Sequence, residues 1–289
     1  MISIKGLTVD FGSVKALDDV WLTIRTGEIV AIVGANGSGK TTMARCITGL
    51  QKPTQGRVLM DNLDCWKNRE EIWAKIDFLE AQQHLPESHN AIEAIMLFCP
   101  ELNSSQARQK AEKVFHARAL NLPQQHYSRP ISQLSHGMRQ KVLVATLREV
   151  PYWFLDEPTQ GFDPNISDNF RDYIIGQDRT VVWITHNMGD AERADRLIIL
   201  HQGRVVASGP PAVLKAWLDT PSLEEVYSHA ASDDCRFICE TRWVMQEGSL
   251  PPGTFYCSTL DADQIVVEGA SYSKRMFRIY SDVEPGVTC

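Results

Sequence analysis

Ile29-Val30-Ala31-Ile32-Val33-Gly34-Ala35-Asn36-Gly37-Ser38-Gly39-Lys40-Thr41 is the stretch on which the fold turns. Glu28–Val33 is a compact β-branched run and reads as a strand entering the glycines directly. Thr41–Gly49 follows as a helix stopped by glycine. Strand, glycine loop and helix are the context that a phosphate loop requires. Gly34, Gly37 and Gly39 let backbone amides turn inward around anionic oxygens. The helix N-terminus adds about half a positive charge at the same place. Lys40 is placed to reach β- and γ-phosphates, and the Thr41 hydroxyl to serve Mg²⁺. Asn36, Ser38 and Thr42 complete the expected nucleotide-binding set.

Outward from this loop the chain alternates. Upstream, Ile2–Val9 and Val20–Ile24 show the apolar-polar alternation of half-exposed strands. Downstream, from about Trp66 to Tyr127, segments such as Ile92–Phe98 and Ser105–Leu120 read as helices with little strand signal. From Val142 the pattern becomes α/β again. A helix runs to Glu149, then a strand Trp153–Leu155, a helix near Ile166–Ile175 and a strand Thr180–Ile184. Such alternation implies a mainly parallel sheet covered by helices. Leu197–His201, Gln202-Gly203 and Arg204–Ala207 read as a hairpin with a glycine turn. Ser222–Ala231 reads as one more helix. The short runs Phe255–Ser258, Gln264–Glu268 and Met276–Tyr280 then indicate a small β-rich C-terminal unit.

Composition bounds the function. The chain has 289 residues, 43% hydrophobic and 22% charged, as globular domains do. No window approaches the roughly 20 unbroken apolar residues of a membrane helix. The N-terminus lacks a signal-peptide core, so a cytosolic chain is expected. The net charge of −7, without a basic block, argues against a general nucleic-acid binder. Seven cysteines in such a chain are expected to be reduced, and Cys235 and Cys239 lack the second pair that a zinc site needs.

Two further positions carry chemistry. Asp156 and Glu157 close the apolar run before Pro158. Ligands of open α/β sheets sit at the carboxyl ends of strands, so both carboxylates are expected at the nucleotide. Asp156 suits Mg²⁺, which prefers oxygen ligands, and Glu157 then remains to polarise the attacking water as general base. His186 also follows a strand end and is suited to donate to a γ-phosphate. His84, His89, His136 and His201 have no such position and read as structural or surface residues. Ser135 and Gly137 precede a helical stretch, Met138–Val150. Locally this is a helix cap that doubles as an anion site, and nothing in its periodicity says whose phosphate it would bind.

Taken in order, these pieces resemble the ATP-binding subunit of an ABC transporter. Gly34–Thr41 matches the Walker A motif at every fixed position. Leu134–Met138 resembles the signature Leu-Ser-Gly-Gly-Gln, with His136 and Met138 as departures. Phe154–Glu157 matches the Walker B strand and its glutamate, and Gly161-Phe162-Asp163 resembles the D-loop, with Phe162 for the usual leucine. His186 matches the switch histidine, and Phe11 stands where the family stacks an aromatic on adenine. The resemblance spans about Met1 to Pro211. It implies a P-loop NTPase ABC ATPase fold over residues 1–218, with a helical subdomain at about 66–150, and a β-rich extension over 219–289. It also implies ATP and Mg²⁺, a second ABC ATPase subunit, and separate transmembrane permease subunits at the cytoplasmic face of a membrane. Ser135 and Gly137 would then contact the partner's γ-phosphate across a head-to-tail dimer, and Asp163, in the D-loop-like segment, joins the expected nucleotide-binding residues.

The family's Q-loop glutamine should closely follow Phe78-Leu79. Strict register puts Ala81 there, and Gln82, one residue on, is the candidate for both catalysis and Mg²⁺. Ser135–Lys141 resembles the signature variant of the export-type (ABC-2) branch, and Pro221–Tyr227 the tail of its drug-export ATPases. An exporter subunit is therefore expected. An importer subunit, or a soluble ABC ATPase of translation or DNA repair, are the alternatives. Translation members usually carry two cassettes and repair members long coiled coils, and the sequence shows neither. Around Phe78–Pro100, Ile95, Leu97 and Phe98 are read either as permease-docking residues or as helix core.

Overall fold

The structure is a computed structural model that describes residues 1–80, 83–116, 120–232, 235–239, 264–267, 270–273 and 277–281. It divides into two compact units. One comprises Met1–Arg69 with Thr185–Cys289, and the other Glu70–Ile184.

In the first unit the strand Ile29–Val33 is buried at every residue, as its unbroken apolar run requires. It pairs in parallel with Arg196–His201, Val30 opposite Arg196 and Val33 opposite Ile199. That strand turns back antiparallel onto Arg204–Gly209. The turn is Gln202-Gly203, with φ of 45° and 78°, the primed geometry that follows the twist of a hairpin. Arg204–Gly209 pairs in parallel with Cys235–Cys239, which pairs antiparallel with Phe277–Ser281. The late strands thus extend the hairpin's sheet, while Gln264–Val267 and Ala270–Ser273 pair with each other. The expected run Phe255–Ser258 lies outside the described residues. A separate antiparallel sheet orders Lys15–Ile24, Ile2–Asp10, Gln55–Met60 and Leu63–Asp64. Val20, Leu22 and Ile24 are buried there, and Trp21 between them is exposed. Cys46 and Cys65 are buried free thiols, and burial pushes both up to about 12.

A buried ion pair ties these layers. Arg196 donates from Nε to Glu28 Oε1 at 2.8 Å and from its terminal nitrogen to Oε2 at 3.0 Å. The same guanidinium reaches Thr23 O, and Glu28 Oε2 accepts from Arg25 N at 2.7 Å. Neither side chain of the pair is more than 9% exposed. Removing one partner strands a buried charge, so Arg196→Ala is expected to cost about 3–5 kcal/mol in urea unfolding. A double change, Arg196→Met with Glu28→Leu, should cost much less, because no charge is then left buried.

The second unit is built on three parallel strands, Ile76–Leu79, Tyr152–Asp156 and Thr180–Ile184. The first interrupts the stretch in which helices with little strand signal are expected. It is only Ile-Asp-Phe-Leu, too short to show a period, and its register against Tyr152–Leu155 specifies it. Helices Ala91–Phe98, Ser104–His116 and His136–Ala145 pack on one another. The first carries a full capping box of Asn90 and Glu93. Phe115 meets the Tyr127 ring at 5.1 Å among them. The helix expected over Met138–Val150 ends at Ala145. Thr146 Oγ1 donates to Leu143 O at 2.6 Å, and the Arg148 amide donates to Asp77 Oδ2 at 2.6 Å, which draws the chain off the helix axis. Burial pushes the Asp77 carboxyl up, and that backbone hydrogen bond opposes it.

Candidate functional site

The phosphate loop starts where the buried strand ends and rises into an exposed tip, Ala35–Gly37. Gly37 has φ of +80° with open space around it, and Gly39 has φ of +105°. A Cβ on Gly39 would lie 2.4 Å from Ala16 O, and one on Gly34 2.3 Å from Leu200 O. Position 39 is thus bound to glycine both by its left-handed backbone and by packing, and position 34 by packing alone. Ser38 N donates to Ala35 O at 3.1 Å, and Gly203 N to Ser38 O at 3.0 Å, so the hairpin turn braces the loop. Lys40 is buried, and its Nζ donates to Gly34 O at 2.8 Å and Ala35 O at 3.0 Å.

This loop fits a polyphosphate. The helix Lys40–Ile47 starts on a glycine without a capping side chain, and its first turn holds no acidic residue. Ser38 Oγ is buried with no hydrogen-bond partner among the described residues. An ammonium, a helix N-terminus and an orphaned hydroxyl converge on one small loop, which is the chemistry that anionic oxygens satisfy. Thr41 and Thr42 stand half-buried on the first turn of that helix.

His186 belongs to the same unit. The Thr185 amide donates to Ile32 O at 3.2 Å, which seats the histidine beside the strand that carries the loop. Thr185 is fully buried, and its hydroxyl donates to Asp190 Oδ2 at 3.1 Å and accepts from Asn187 N at 3.0 Å. His186 is exposed on this turn. Phe11 is 58% exposed, held out on a turn where Asp10 Oδ1 accepts from Gly12 N at 2.7 Å. That exposure suits a ring that stacks on a ligand.

In the second unit, Tyr152–Asp156 is wholly buried and delivers Asp156, 8% exposed, at its carboxyl end. Glu157 follows with φ of +51°. Its amide donates to Ile184 O at 2.9 Å, and its carbonyl accepts from Gln160 N at 3.1 Å. A left-handed backbone costs a non-glycine residue about 1–2 kcal/mol, and such strain concentrates at functional positions. Nothing in Leu155-Asp156-Glu157-Pro158 announces it.

Ser135 caps the helix His136–Ala145, its Oγ accepting from Met138 N at 3.3 Å. Arg139 folds back, donating from Nε to Leu134 O and from its terminal nitrogen to Ser132 O, both at 3.1 Å. It thereby holds the segment that presents the exposed Ser135, a structural role that the sequence reading did not give it. The His136 ring lies against Gly161: a Cβ there would sit 2.4 Å from His136 Cδ2. A Cβ on Gly137 would meet Gly161 O at 3.2 Å, so the signature-like and D-loop-like segments abut. Asp163 caps Pro164–Ile175, accepting from Ile166 N at 3.0 Å. Burial lowers the pKa of Lys141, and Asp163 opposes that shift. Gln82 lies outside the described residues. Of the two readings for the 78–100 region, Ile95 is fully buried core, whereas Leu97 is 53% exposed.

Comparison with known proteins agrees with this geometry. The family model "ABC transporter" matches residues 17–160. The energy-coupling factor transporter ATP-binding protein EcfA1 of Symbiobacterium thermophilum is 36% identical over 218 residues, 71% of this chain and 74% of that protein. The glutamine transport ATP-binding protein GlnQ of Escherichia coli is 32% identical, over 80% of this chain and the whole of that one. The ABC transporter ATP-binding protein NatA of Bacillus subtilis is 31% identical, over 80% and 92%. A solved ATP-binding subunit of an ABC transporter superposes with a TM-score of 0.70 at 25% identity, over 80% of this chain and 99% of that one. A dimeric ATP-binding cassette in a post-hydrolysis state with ADP and Pi gives 0.65 at 28% identity, over 73% and 98%. The chain belongs to the ABC transporter family, as an ATP-binding and ATP-hydrolysing subunit with the family's P-loop α/β fold.

Proposed function

We propose that this subunit powers an exporter, as one half of an ATPase homodimer seated on separate permease subunits at the cytoplasmic face of a membrane. The observation that carries the proposal is the pairing of two half-sites on one chain. One is a phosphate loop with a buried lysine and an orphaned serine hydroxyl. The other is an exposed serine-capped helix start, Ser135, held out by Arg139. In this reading Gly34–Thr42 bind the phosphates of ATP and Phe11 its base. Ser135 and Gly137 act on the nucleotide of the partner subunit, and Asp163 contributes to nucleotide binding. Glu157 takes the proton of the attacking water, His186 donates to the γ-phosphate, and Gln82 orients water and metal.

Mg²⁺ fits the donor set. Among the described residues no cluster of three His, Cys, Asp or Glu would hold a metal alone. Mg²⁺ characteristically takes one or two protein oxygens and completes its shell with phosphates and water. Thr41 and Asp156 are the oxygen donors proposed from the motifs that carry them, and Gln82 is the further candidate that the sequence offers. When bound, the ion neutralises phosphate charge, and the residues of this chain supply position and the proton acceptor.

Export is supported by the export-type letters Ser135–Lys141 and the Pro221–Tyr227 tail. A second reading, import, is favoured by relatives whose names include a glutamine transporter. ATP-dependent movement in vesicles carrying the cognate permease decides between them by its direction. The shared site has its own test. Ser135→Ala and Lys40→Ala subunits, each unable to form a complete site with itself, should when mixed show one site per dimer occupied at ATP concentrations too low to fill either variant alone. Equilibrium dialysis reads that occupancy, and no gain on mixing contradicts a signature that acts in trans.

A further inference from the structure

The Gly34–Ala35 peptide is held at both of its polar ends. Its carbonyl accepts from Lys40 Nζ at 2.8 Å. Its N–H, that of Ala35, donates to the Tyr227 hydroxyl at 3.0 Å, across 192 positions of chain. Tyr227 lies on the helix Leu223–Ser232, whose Leu223, Val226 and Ala230 are fully buried along one face. Ser222 caps that helix, its Oγ accepting from Glu225 N at 3.2 Å, and the Thr220 hydroxyl donates to the Glu225 carboxylate. The helix packs on the strands Arg196–His201 and Arg204–Gly209. The first of these also carries Leu200, whose carbonyl abuts Gly34. One strand thus places both the loop and the helix, and core packing fixes the helix rotation that points Tyr227 at the loop.

We propose that Tyr227 is a positioning residue for nucleotide binding. Its hydroxyl keeps the first peptide of the phosphate loop in place when Lys40 exchanges the Gly34 and Ala35 carbonyls for phosphate oxygens. The loop tip Ala35–Gly37 is exposed, so without this hold it must be ordered by the nucleotide itself. Ordering draws on binding energy and leaves the chemical step alone. The proposal rests on the phosphate loop being the nucleotide site.

The test is Tyr227→Phe in the full chain, with MgATP. The dissociation constant and KM should rise about three- to ten-fold, the worth of one hydrogen bond, while kcat at saturating ATP is maintained. Exchange of the Ala35 amide, followed by NMR on labelled protein without nucleotide, should accelerate about ten-fold. In an Ala35→Pro background, which lacks the donor, Tyr227→Phe should change affinity no further. Unchanged affinity and exchange, or the same loss in both backgrounds, would overturn the tether. If Ala35→Pro does not fold, the exchange rate decides alone. Failure of the unaltered chain to bind MgATP would instead overturn the phosphate-loop reading, which keeps the two failures distinct.

Discussion

Glu157→Gln is expected to bind ATP with near-normal affinity and to lose hydrolysis by about 10²–10⁴-fold, the usual worth of a positioned general base. The change keeps the size of the side chain and removes its basicity. In the proposed cycle, where closure follows binding and opening follows product release, the variant should accumulate as an ATP-bound dimer. Phosphate release and size exclusion with ATP check the two halves of this prediction, and normal turnover would remove Glu157 from the role of base. A companion variant separates chemistry from backbone. Glu157 has φ of +51°. Glycine relieves about 1–2 kcal/mol of strain there against about 0.5–1 kcal/mol of added unfolded-state freedom. Glu157→Gly should therefore be inactive yet more stable by roughly 0.5–1 kcal/mol in urea unfolding. A less stable glycine variant would show that the contacts of the Glu157 side chain outweigh the strain of its backbone.

Lys40→Ala is expected to weaken ATP binding about 100-fold or more, since a charge-assisted hydrogen bond is worth about 1.5–3 kcal/mol and the ammonium can make several. The substitution also removes the donor to Gly34 O and Ala35 O, so the loop loses its internal brace together with its charge. Titration with a fluorescent ATP analogue measures the loss, and circular dichroism checks that the overall secondary structure persists. Lys40→Arg should not restore binding, because a planar guanidinium does not fit where a compact ammonium turns inward. Near-normal affinity in Lys40→Ala would mean that helix N-terminus and backbone amides suffice.

Most of the architecture was legible. Thr180–Ile184 reads from its letters as a strand with the observed ends, and Gln202-Gly203 as the turn of a hairpin. A glycine turn and a buried strand are local statements, made by adjacent residues. Ile76–Leu79 was not legible, because four residues show no period and only its neighbour Tyr152–Leu155 makes it a strand. The overlong helix before Pro151 has a similar cause. Nothing near Thr146 forbids helix, and the Asp77 carboxylate that takes the Arg148 amide lies 71 positions away. Ile95 and Leu97 sit two residues apart in one apolar run, yet only packing makes the first core and the second surface.

By itself the sequence determined the phosphate loop, its strand and helix, the order of the motifs, and hence the family. Those are matters of short-range chemistry: where glycine must stand, which side chains carry charge, and which runs must be buried. Tertiary structure alone decided the left-handed Glu157, the His136 ring against Gly161, and the hydroxyl of Tyr227 on the phosphate loop. Each depends on where a distant or folded-back segment arrives, and a backbone angle or hydrogen bond set by such an arrival leaves no mark in the letters around it.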